Sequence, residues 1–415
     1  MILRARMVWP VARPPVEDGV VCLQGDRIAW VGRHAELPAS QRGEMLDLGE
    51  TLLLPGLINA HCHLDYTGMA GQLLPPRRFT DWIKGMVALK STWSTEDFSK
   101  SWQQGAQMLL RTGTTTVGDI EAVQELLPRL WESTPLRVLS YRELIHLKSP
   151  GTPADLVEST ARAWSALPGS EARIGLSPHA PYTTSLELLD RAACEAQRRR
   201  WRLVTHVAES EEEFEMFMYR QGPMFDWLKG QRDMSDCGLG SPVQHLERAG
   251  YLNENLLAVH VNYLWRHDAG LLGRGQVSVA HCPRSHEYFK HLRFPRRELA
   301  NAGVNLCLGT DSLATVRVER GPAPELNLFS EMQQFVRLDS EVTPETVFRM
   351  ATINGARALG RTGELGELTA GALADIIALP FAGPAGLAPE AAVQHQGPVL
   401  ASMINGRWAI APPSP

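Results

Sequence analysis

The chain has 415 residues, of which 44% are hydrophobic, so it can bury a large core as two or three domains or as one barrel with a small companion domain. Its 41 basic and 46 acidic residues give a formal net charge of -5, which offers no general attraction to nucleic acid or to anionic lipid and leaves a small molecule as the expected partner. The absence of a long apolar run, of a recognisable signal peptide and of C-x-x-C cysteine pairs excludes a membrane-spanning protein and predicts a cytoplasmic one with reduced thiols.

The first predicted elements are strands near the N-terminus. Val20–Val31 contains two short apolar runs on either side of Gln24-Gly25-Asp26-Arg27, which is the pattern of a β-hairpin. Met45–Leu54 predicts a further strand, and Pro55-Gly56 ends it. We therefore expect residues 1–54 to be the N-terminal part of a small β-domain.

Residues 55–360 contain eight apolar segments suited to strands that are buried on both faces. Helix-length stretches separate them, and one of these, Ser185–Arg200, has its apolar residues on one helical face. The eight segments are Leu57–His63, Thr114–Asp119, Leu136–Glu143, Arg173–His179, Leu203–Val207, Leu256–Val261, Gln276–His281 and Val304–Asp311. Repeated β/α units predict an α/β fold, a TIM-type (β/α)8 barrel, rather than an open sheet. Two long connections, 64–91 and 211–255, are candidates for a lid or a substrate wall.

The last predicted elements follow a helix that begins at Thr343-Pro344-Glu345 with the threonine as its cap. Ala374–Leu379 predicts a short strand, and Val399–Trp408 predicts two strands around a turn at Asn405-Gly406. We expect residues 361–415 to join the N-terminal strands, so that both chain ends form one small composite β-sandwich domain.

Six polar motifs occur where barrel strands are predicted to end. They are His61-Cys62-His63, Ser177-Pro178-His179, His206-Val207-Ala208-Glu209, Val259-His260, His281-Cys282-Pro283 and Gly309-Thr310-Asp311-Ser312. Because the C-terminal ends of barrel strands meet on one face, these motifs predict a single polar site there.

Four of these residues form a candidate metal set. His61 and His63 alternate with Cys62, so both should point to the same side of their strand, although a hydrogen-bonded pair of core histidines is the alternative for an isolated motif. His206 and Asp311 end the fifth and eighth strands and add a nitrogen and a carboxylate oxygen. This set suits one Zn²⁺, with Fe²⁺, Mn²⁺ or nickel as alternatives, and such an ion would activate water. No lysine ends the fourth strand, so a lysine-bridged second metal is not expected.

Two further residues are candidates for proton transfer. Glu209 follows His206 by three residues and could act as general acid and base, whereas a solvated acidic turn is the structural alternative. The next acids, Glu211-Glu212-Glu213, are expected to be solvated. His260 could orient the attacking water and stabilise its charge, serve as a fifth ligand, or be a core histidine.

The candidates for substrate contact are less determined by the sequence. His179 lies between two prolines, which suits a substrate contact and a structural loop anchor equally well. Arg284 and His286 follow the seventh strand and could bind a polar substrate group or hold the loop. Three further candidates are Trp82, Arg142 and Glu143.

Taken together, the motifs resemble the amidohydrolase superfamily, specifically its mononuclear branch of deaminases and chlorohydrolases. The segments that carry the resemblance are Leu53–His63, Ser177–Tyr182, Thr205–Glu209, His281–Ser285, Leu308–Ser312 and Met350–Gly360. Arg142-Glu143-Leu144-Ile145 is most similar to the members that act on aminodeoxyfutalosine. One position departs from the deaminase pattern, which often has Asn where this chain has His286.

The resemblance implies a TIM-type barrel, a composite β-domain and one catalytic divalent metal ion per subunit. It implies that His61, His63, His206 and Asp311 are ligands. It also implies that Glu209 and His260 handle protons together with Asp311, and that His179 contacts the substrate. A homodimer is a further implication of the family.

The expected function is that of a cyclic amidine deaminase, which hydrolyses a ring C–NH₂ to C=O and releases ammonia. The expected substrate is an adenine-like nucleoside such as aminodeoxyfutalosine or methylthioadenosine. The same apparatus would serve a chlorohydrolase or a cyclic-amide hydrolase acting on guanine, cytosine or a triazine. A non-catalytic scaffold of the same fold is the remaining alternative, and the complete ligand set argues against it.

Overall fold

Two separate eight-stranded sheets organise the computed structural model, which describes residues 1–148, 151–318 and 320–413. One sheet is a parallel barrel, and the other is a mixed sheet built from the two ends of the chain. The predicted fold class is therefore confirmed, and the domain boundaries at residues 54 and 360 stay a prediction.

Five N-terminal strands begin the mixed sheet. They are β1 (Ile2–Val8), β2 (Val16–Gln24), β3 (Arg27–Arg33), β4 (Met45–Asp47) and β5 (Thr51–Pro55). β2 and β3 are the predicted hairpin, and the strand predicted at Met45–Leu54 is divided into β4 and β5. β1 was not predicted, yet it is central to the sheet because it pairs with β2, β4 and β5.

The next eight strands form the barrel. They are β6 (Leu57–Cys62), β7 (Thr114–Glu121), β8 (Arg137–Leu144), β9 (Ile174–Pro178), β10 (Leu203–Val207), β11 (Leu256–His260), β12 (Ser278–His281) and β13 (Asn305–Leu308). Each pairs in parallel with the next strand in the chain. The barrel closes where the carbonyl of His61 accepts the N–H groups of Thr310 and Asp311 at 3.0 and 3.2 Å. The N–H of His63 also donates to the carbonyl of Asp311 at 3.3 Å.

Three C-terminal strands complete the mixed sheet. They are β14 (Ile376–Pro380), β15 (Ala401–Ile404) and β16 (Arg407–Ile410). β14 runs antiparallel to β5 and to β15, so the two ends of the chain share backbone hydrogen bonds within one sheet. The predicted composite β-structure from both chain ends is thus present.

Helices pack around the barrel and over its C-terminal end. They are α1 (Phe79–Lys90), α2 (Thr95–Arg111), α3 (Arg129–Glu132), α4 (Pro153–Ser165), α5 (Leu186–Arg199), α6 (Glu211–Tyr219), α7 (Gly222–Leu228), α8 (Pro242–Arg248), α9 (Asp268–Arg274), α10 (Pro283–Phe289), α11 (Arg296–Asn301), α12 (Leu328–Leu338), α13 (Pro344–Met350), α14 (Ile353–Ala358) and α15 (Ala388–Val393). Thr343 caps α13 as predicted, and Ser185 caps α5, each by accepting a backbone N–H three residues on.

The two long connections are helical and are joined to each other. The first contains α1, and the second contains α6, α7 and α8. The Glu212 carboxylate of α6 accepts the N–H groups of Phe79 and Thr80, at 2.9 and 3.0 Å, at the start of α1. An acidic group is favourable there because the first N–H groups of a helix lack partners within the helix.

Two global predictions can be compared with the described residues. Every helix in this part of the chain is too short or too polar to cross a membrane. All six cysteines are free thiols, and Cys194 alone among them is exposed.

Candidate active site

The candidate active site lies where four barrel strands end. The chain brings six buried polar side chains together there: His61, His63, His206, Glu209, His260 and Asp311. They come from the ends of β6, β10 and β11 and from the turn after β13, which are widely separated in sequence. We call these six residues the strand-end cluster. Four of the six predicted motifs therefore meet at one place in the structure, whereas the buried ring of His281 stacks on Phe294.

Four members of the strand-end cluster have the spacing of ligands around one ion. The Nε2 atoms of His63 and His206 are 3.4 Å apart. The Nε2 atoms of His61 and His63 are each 3.8 Å from Oδ1 of Asp311. Tetrahedral zinc with nitrogen ligands at about 2.0–2.1 Å holds its ligand atoms about 3.4 Å apart. The candidate ligand atoms of His61, His63 and Asp311 all lie within 4.8 Å of one another, and His206 joins this group through its 3.4 Å approach to His63.

The hydrogen bonds around these residues leave the ligand atoms free. Nδ1 of His206 lies 2.9 Å from the carbonyl oxygen of His179, so it carries the proton and directs Nε2 toward the site. Oδ2 of Asp311 accepts a hydrogen bond from Thr315 at 3.1 Å, which leaves Oδ1 available. Neither ring nitrogen of His61 has a hydrogen-bond partner among the described residues. Because an unpaired buried polar atom is costly, these nitrogens also indicate an ion.

Burial gives the histidines the protonation state that a metal requires. It lowers the pKa of His63 and that of His260 to about 3, and it lowers the pKa of His206 well below its usual value. Burial alone would raise the pKa of Asp311, but the adjacent imidazoles, His61 foremost, hold it below the usual range. Neutral imidazoles and an ionised carboxylate are the forms that bind metal ions.

Glu209 and His260 form a second functional pair beside this set. Oε1 of Glu209 lies 3.4 Å from Nε2 of His260. Burial raises the pKa of Glu209 well above its usual value, and the nearby charge of Asp311 acts in the same direction. A carboxyl group in this state can hold a proton near neutral pH and donate it to a substrate.

The backbone bends sharply where these side chains leave the barrel. Ala208, His260, Val261 and Asp311 have φ angles of 49°, 74°, 50° and 54°, in the left-handed region. Non-glycine residues adopt this conformation at a cost, which the surrounding structure must offset. The strand ends are therefore built to direct side chains into the site.

A cavity of about 300 Å³ opens beside the strand-end cluster. One side is apolar and consists of Phe79, Trp82, Ile83 and Met86 of α1 together with Trp227 of α7. We call these five residues the apolar wall. Both long connections therefore line the cavity, as predicted for a substrate wall.

Three of the predicted substrate contacts also line the cavity. They are Trp82, Glu143 and His179. Nε2 of His179 lies 4.0 Å from the Glu143 carboxylate, and its Nδ1 lies 2.8 Å from the hydroxyl of Thr183. Their positions agree with a role in substrate binding, which stays a prediction.

Arg142 and Arg284 are not among the described residues that line the cavity. Arg142 donates to the backbone carbonyls of Glu121 and Ala122 at 3.2 and 2.6 Å. Arg284 pairs with Glu331, a fully buried carboxylate that also accepts the backbone N–H of Arg284 at 2.9 Å. Both guanidinium groups bind other groups of the protein, and neither lines the cavity. For Arg284 this agrees with the alternative prediction that it holds the loop.

His286 is likewise absent from the described lining, and its buried ring contacts Asn262, with 3.1 Å between Nδ1 of His286 and Oδ1 of Asn262.

The expectation that Glu211, Glu212 and Glu213 are all solvated is wrong for two of them. Glu211 is exposed, as expected. Glu212 accepts a hydrogen bond from the start of α1. Glu213 is fully buried, and its side-chain oxygen accepts the N–H of Glu209 at 2.9 Å.

Several residues that line the cavity were not predicted from the sequence, among them the hydrogen-bonded pair Lys90 and Tyr66. The Lys90 ammonium donates to the Tyr66 hydroxyl and lies 4.7 Å from the centre of its ring. Lys90 follows Met86 by one helical turn, so recognising α1 in the sequence would have placed it on the cavity side. Ser312, also in the lining, directly follows Asp311.

A model of the amidohydrolase family matches residues 52–409. A 5-methylthioadenosine/S-adenosylhomocysteine deaminase of Syntrophobacter fumaroxidans is 34% identical over 386 residues, which is 89% of this chain and 81% of that protein. The resemblance inferred from the motifs is thus confirmed.

Solved structures show the same fold. The aminofutalosine deaminase of Helicobacter pylori, in complex with methylthio-coformycin, has a TM-score of 0.85 at 19% identity, covering 98% of this chain and 99% of that one. An adenosine deaminase of Xanthomonas campestris with bound zinc has a TM-score of 0.81 at 23% identity, covering 98% and 92%. At these identities the likeness shows a shared fold, the barrel with its accompanying sheet, and nothing about the reaction.

Proposed function

Because the chain belongs to the amidohydrolase family, we propose that it is a metal-dependent deaminase that hydrolyses a ring C–NH₂ to C=O and releases ammonia. Family membership makes it a hydrolase acting on carbon–nitrogen bonds. The observation that carries the proposal is the Glu209–His260 pair, 3.4 Å apart, next to the candidate ligand group of His61, His63 and Asp311. A proton donor beside an ion site is what loss of an amino group requires.

We further propose that His61, His63, His206 and Asp311 hold one divalent ion, with zinc as the first candidate. The unpaired nitrogens of His61, the neutral state of His63 and His206, and the ionised state of Asp311 support this assignment. The zinc in the Xanthomonas campestris structure supports the choice of metal. When bound, such an ion supplies an activated water as the nucleophile.

The side chains then divide the proton transfers between them. Asp311 takes one proton of the attacking water, while Glu209 protonates the ring nitrogen next to the attacked carbon. His260 donates a hydrogen bond that stabilises the oxygen of the tetrahedral intermediate. Asp311 passes its proton to the departing amino group, which leaves as ammonia when the C–N bond breaks. The remaining hydroxyl proton returns to Glu209 as C=O forms, so the enzyme ends each turnover in its starting state.

The proposed substrate is an adenine-like nucleoside, for example methylthioadenosine or aminodeoxyfutalosine. The deaminase named for methylthioadenosine at 34% identity supports this class. The apolar wall supports it as well, since Trp82 and Trp227 offer aromatic surface to a ring and to an uncharged substituent. Glu143 and His179 line the same cavity, and in this proposal they bind polar groups of the substrate.

A release assay tests the proposal. Zinc-loaded protein is incubated with methylthioadenosine, S-adenosylhomocysteine, adenosine, aminodeoxyfutalosine, guanine, cytosine, an aminotriazine and a chlorinated triazine, and both ammonia and chloride are measured. We expect ammonia from at least one adenine nucleoside. Chloride release alone would support the chlorohydrolase alternative. Release of neither product from any compound, together with no bound metal, would support the non-catalytic scaffold.

A further inference from the structure

Both backbone groups of Glu209 are held by side chains rather than by a strand or a helix. Its N–H donates to the carboxylate of Glu213 at 2.9 Å. Its carbonyl oxygen accepts from Nδ2 of Asn262, also at 2.9 Å. Glu209 lies between the end of β10 and the start of α6, where regular backbone hydrogen bonds are missing. Two side chains therefore replace the secondary structure that would otherwise fix this residue.

Glu213 reaches Glu209 because of how α6 begins. The Ser210 hydroxyl caps the helix by accepting the N–H of Glu213 at 3.1 Å, which places Glu213 in the first turn with its side chain directed back along the chain. Glu213 is fully buried. Burial raises the pKa of Glu213 to about 8, so its carboxyl group is mostly protonated near neutral pH, and one of its oxygens accepts the N–H of Glu209.

Asn262 reaches Glu209 from the other side, and His286 orients it. The amide orientation that directs Nδ2 of Asn262 at the Glu209 carbonyl oxygen also directs its Oδ1 at Nδ1 of His286, which lies 3.1 Å away. Asn262 and His286 are both buried. The ring predicted to contact the substrate therefore has a different partner, the amide that holds Glu209.

Two backbone hydrogen bonds also connect the segment that contains Glu209 to the segment that contains His260. The N–H of Asn262 donates to the carbonyl of Ala208 at 2.9 Å, and the N–H of Val261 donates to the carbonyl of Val207 at 3.0 Å. Glu209 and His260 lie within these two bonded segments, so a shift of either segment changes their separation.

We propose that Glu213 and Asn262 are positioning residues that fix the carboxyl group of Glu209 against His260, with His286 setting the amide orientation of Asn262. The inference rests on the proposed role of Glu209 in proton transfer. Misplacement of a catalytic group by about 1 Å can lower a rate by about 100-fold. Loss of either hydrogen bond should therefore lower kcat without altering substrate affinity or metal content.

The test compares Glu213→Leu, Glu213→Gln, Asn262→Ala and His286→Ala with wild-type protein and with Glu211→Gln. Glu211 begins the same helix and is exposed, so its variant is the matched control. We expect kcat to fall by about 10- to 100-fold in Glu213→Leu and Asn262→Ala, with KM and zinc content unchanged. Glu213→Gln keeps an acceptor oxygen and should recover most of the loss. His286→Ala should have a smaller effect, which disappears when Asn262 is already alanine.

A second readout does not depend on turnover. Amide hydrogen exchange of the peptide covering residues 207–212 should be faster in Glu213→Leu and Asn262→Ala than in wild type or Glu211→Gln. The inference is overturned if folded Glu213→Leu and Asn262→Ala show wild-type exchange and wild-type kcat while Glu209→Gln is inactive. If wild type releases no ammonia from any panel substrate, the proposed function fails, and exchange alone decides whether Glu209 is held as described.

Discussion

The strand-end cluster and the apolar wall face the same cavity but are built in opposite ways. The cluster comes from barrel strands, and all six of its side chains are buried among backbone that is hydrogen-bonded to neighbouring strands. The wall comes from helices in two long connections, and Val87 beside it on α1 is 60% exposed. The difference indicates that the barrel fixes the chemistry, whereas the connections select the molecule on which it acts.

One short helix serves both regions. Within α6, Glu213 binds the backbone of Glu209 in the strand-end cluster. Its neighbour Glu212 binds the first turn of α1, which carries the apolar wall. Adjacent residues of a helix point about 100° apart, so one turn can contact two different structures.

Removal of the ion should have the largest effect on the cluster and little on the wall. We expect protein stripped by a chelator to lose turnover completely and its melting temperature to fall by several degrees, because an ion bound only to the folded state stabilises it. Turnover and melting temperature should return with zinc. Unchanged stability and activity after complete removal, measured by elemental analysis, would contradict the proposed metal site.

Glu209→Gln should separate proton transfer from metal binding. We expect kcat to fall by about 100- to 10,000-fold because the amide cannot donate and recover a proton as a carboxyl group does. Metal content and melting temperature should stay close to wild type. Full turnover in this variant would exclude Glu209 as the proton donor.

Trp82→Ala should act on the wall alone. We expect KM for an adenine nucleoside to rise about tenfold or more, since a large buried aromatic contact is lost, while kcat changes little. Val87→Ala is the comparison variant: Val87 also borders the cavity but is 60% exposed, so its loss should have a smaller effect. A fall in kcat with constant KM would mean that the wall takes part in the chemistry.

Glu212→Gln should have the smallest effect. The substitution removes the charge at the start of α1, which contributes about 1 kcal/mol to the free energy of unfolding in such positions. Urea denaturation of this variant and of Glu211→Gln measures the difference. Equal stability of the two variants would show that the bond to α1 does not hold the wall.

The barrel and the strand-end cluster were predictable because they depend on local patterns. Each barrel strand is a short apolar run, and each run that carries chemistry ends in His, Glu or Asp at the same edge of the sheet. β1 was not predicted, although the alternation of Arg4 and Arg6 with apolar residues is a pattern typical of a strand with one exposed face. Both arginines bind acidic side chains at the surface of the sheet.

The positioning network could not be predicted from sequence. A run of three acids is usually solvated, and only the cap at Ser210 and the barrel behind α6 decide that Glu213 is buried while Glu211 is exposed. The amide orientation of Asn262 depends on His286, which is 24 residues away. Such contacts depend on how distant segments pack, and no local pattern carries that information.

The seam that closes the barrel has a consequence for the synthesis of the protein. His61 and Asp311 form the backbone contacts between the first and last strands and also belong to the proposed ligand set. During synthesis His61 and His63 leave the ribosome long before residue 311 does. Until then the chain presents only some of the proposed ligands to a metal ion. Full affinity for the ion should therefore arise late, when the eighth strand docks, which delays capture of the metal until the barrel is whole.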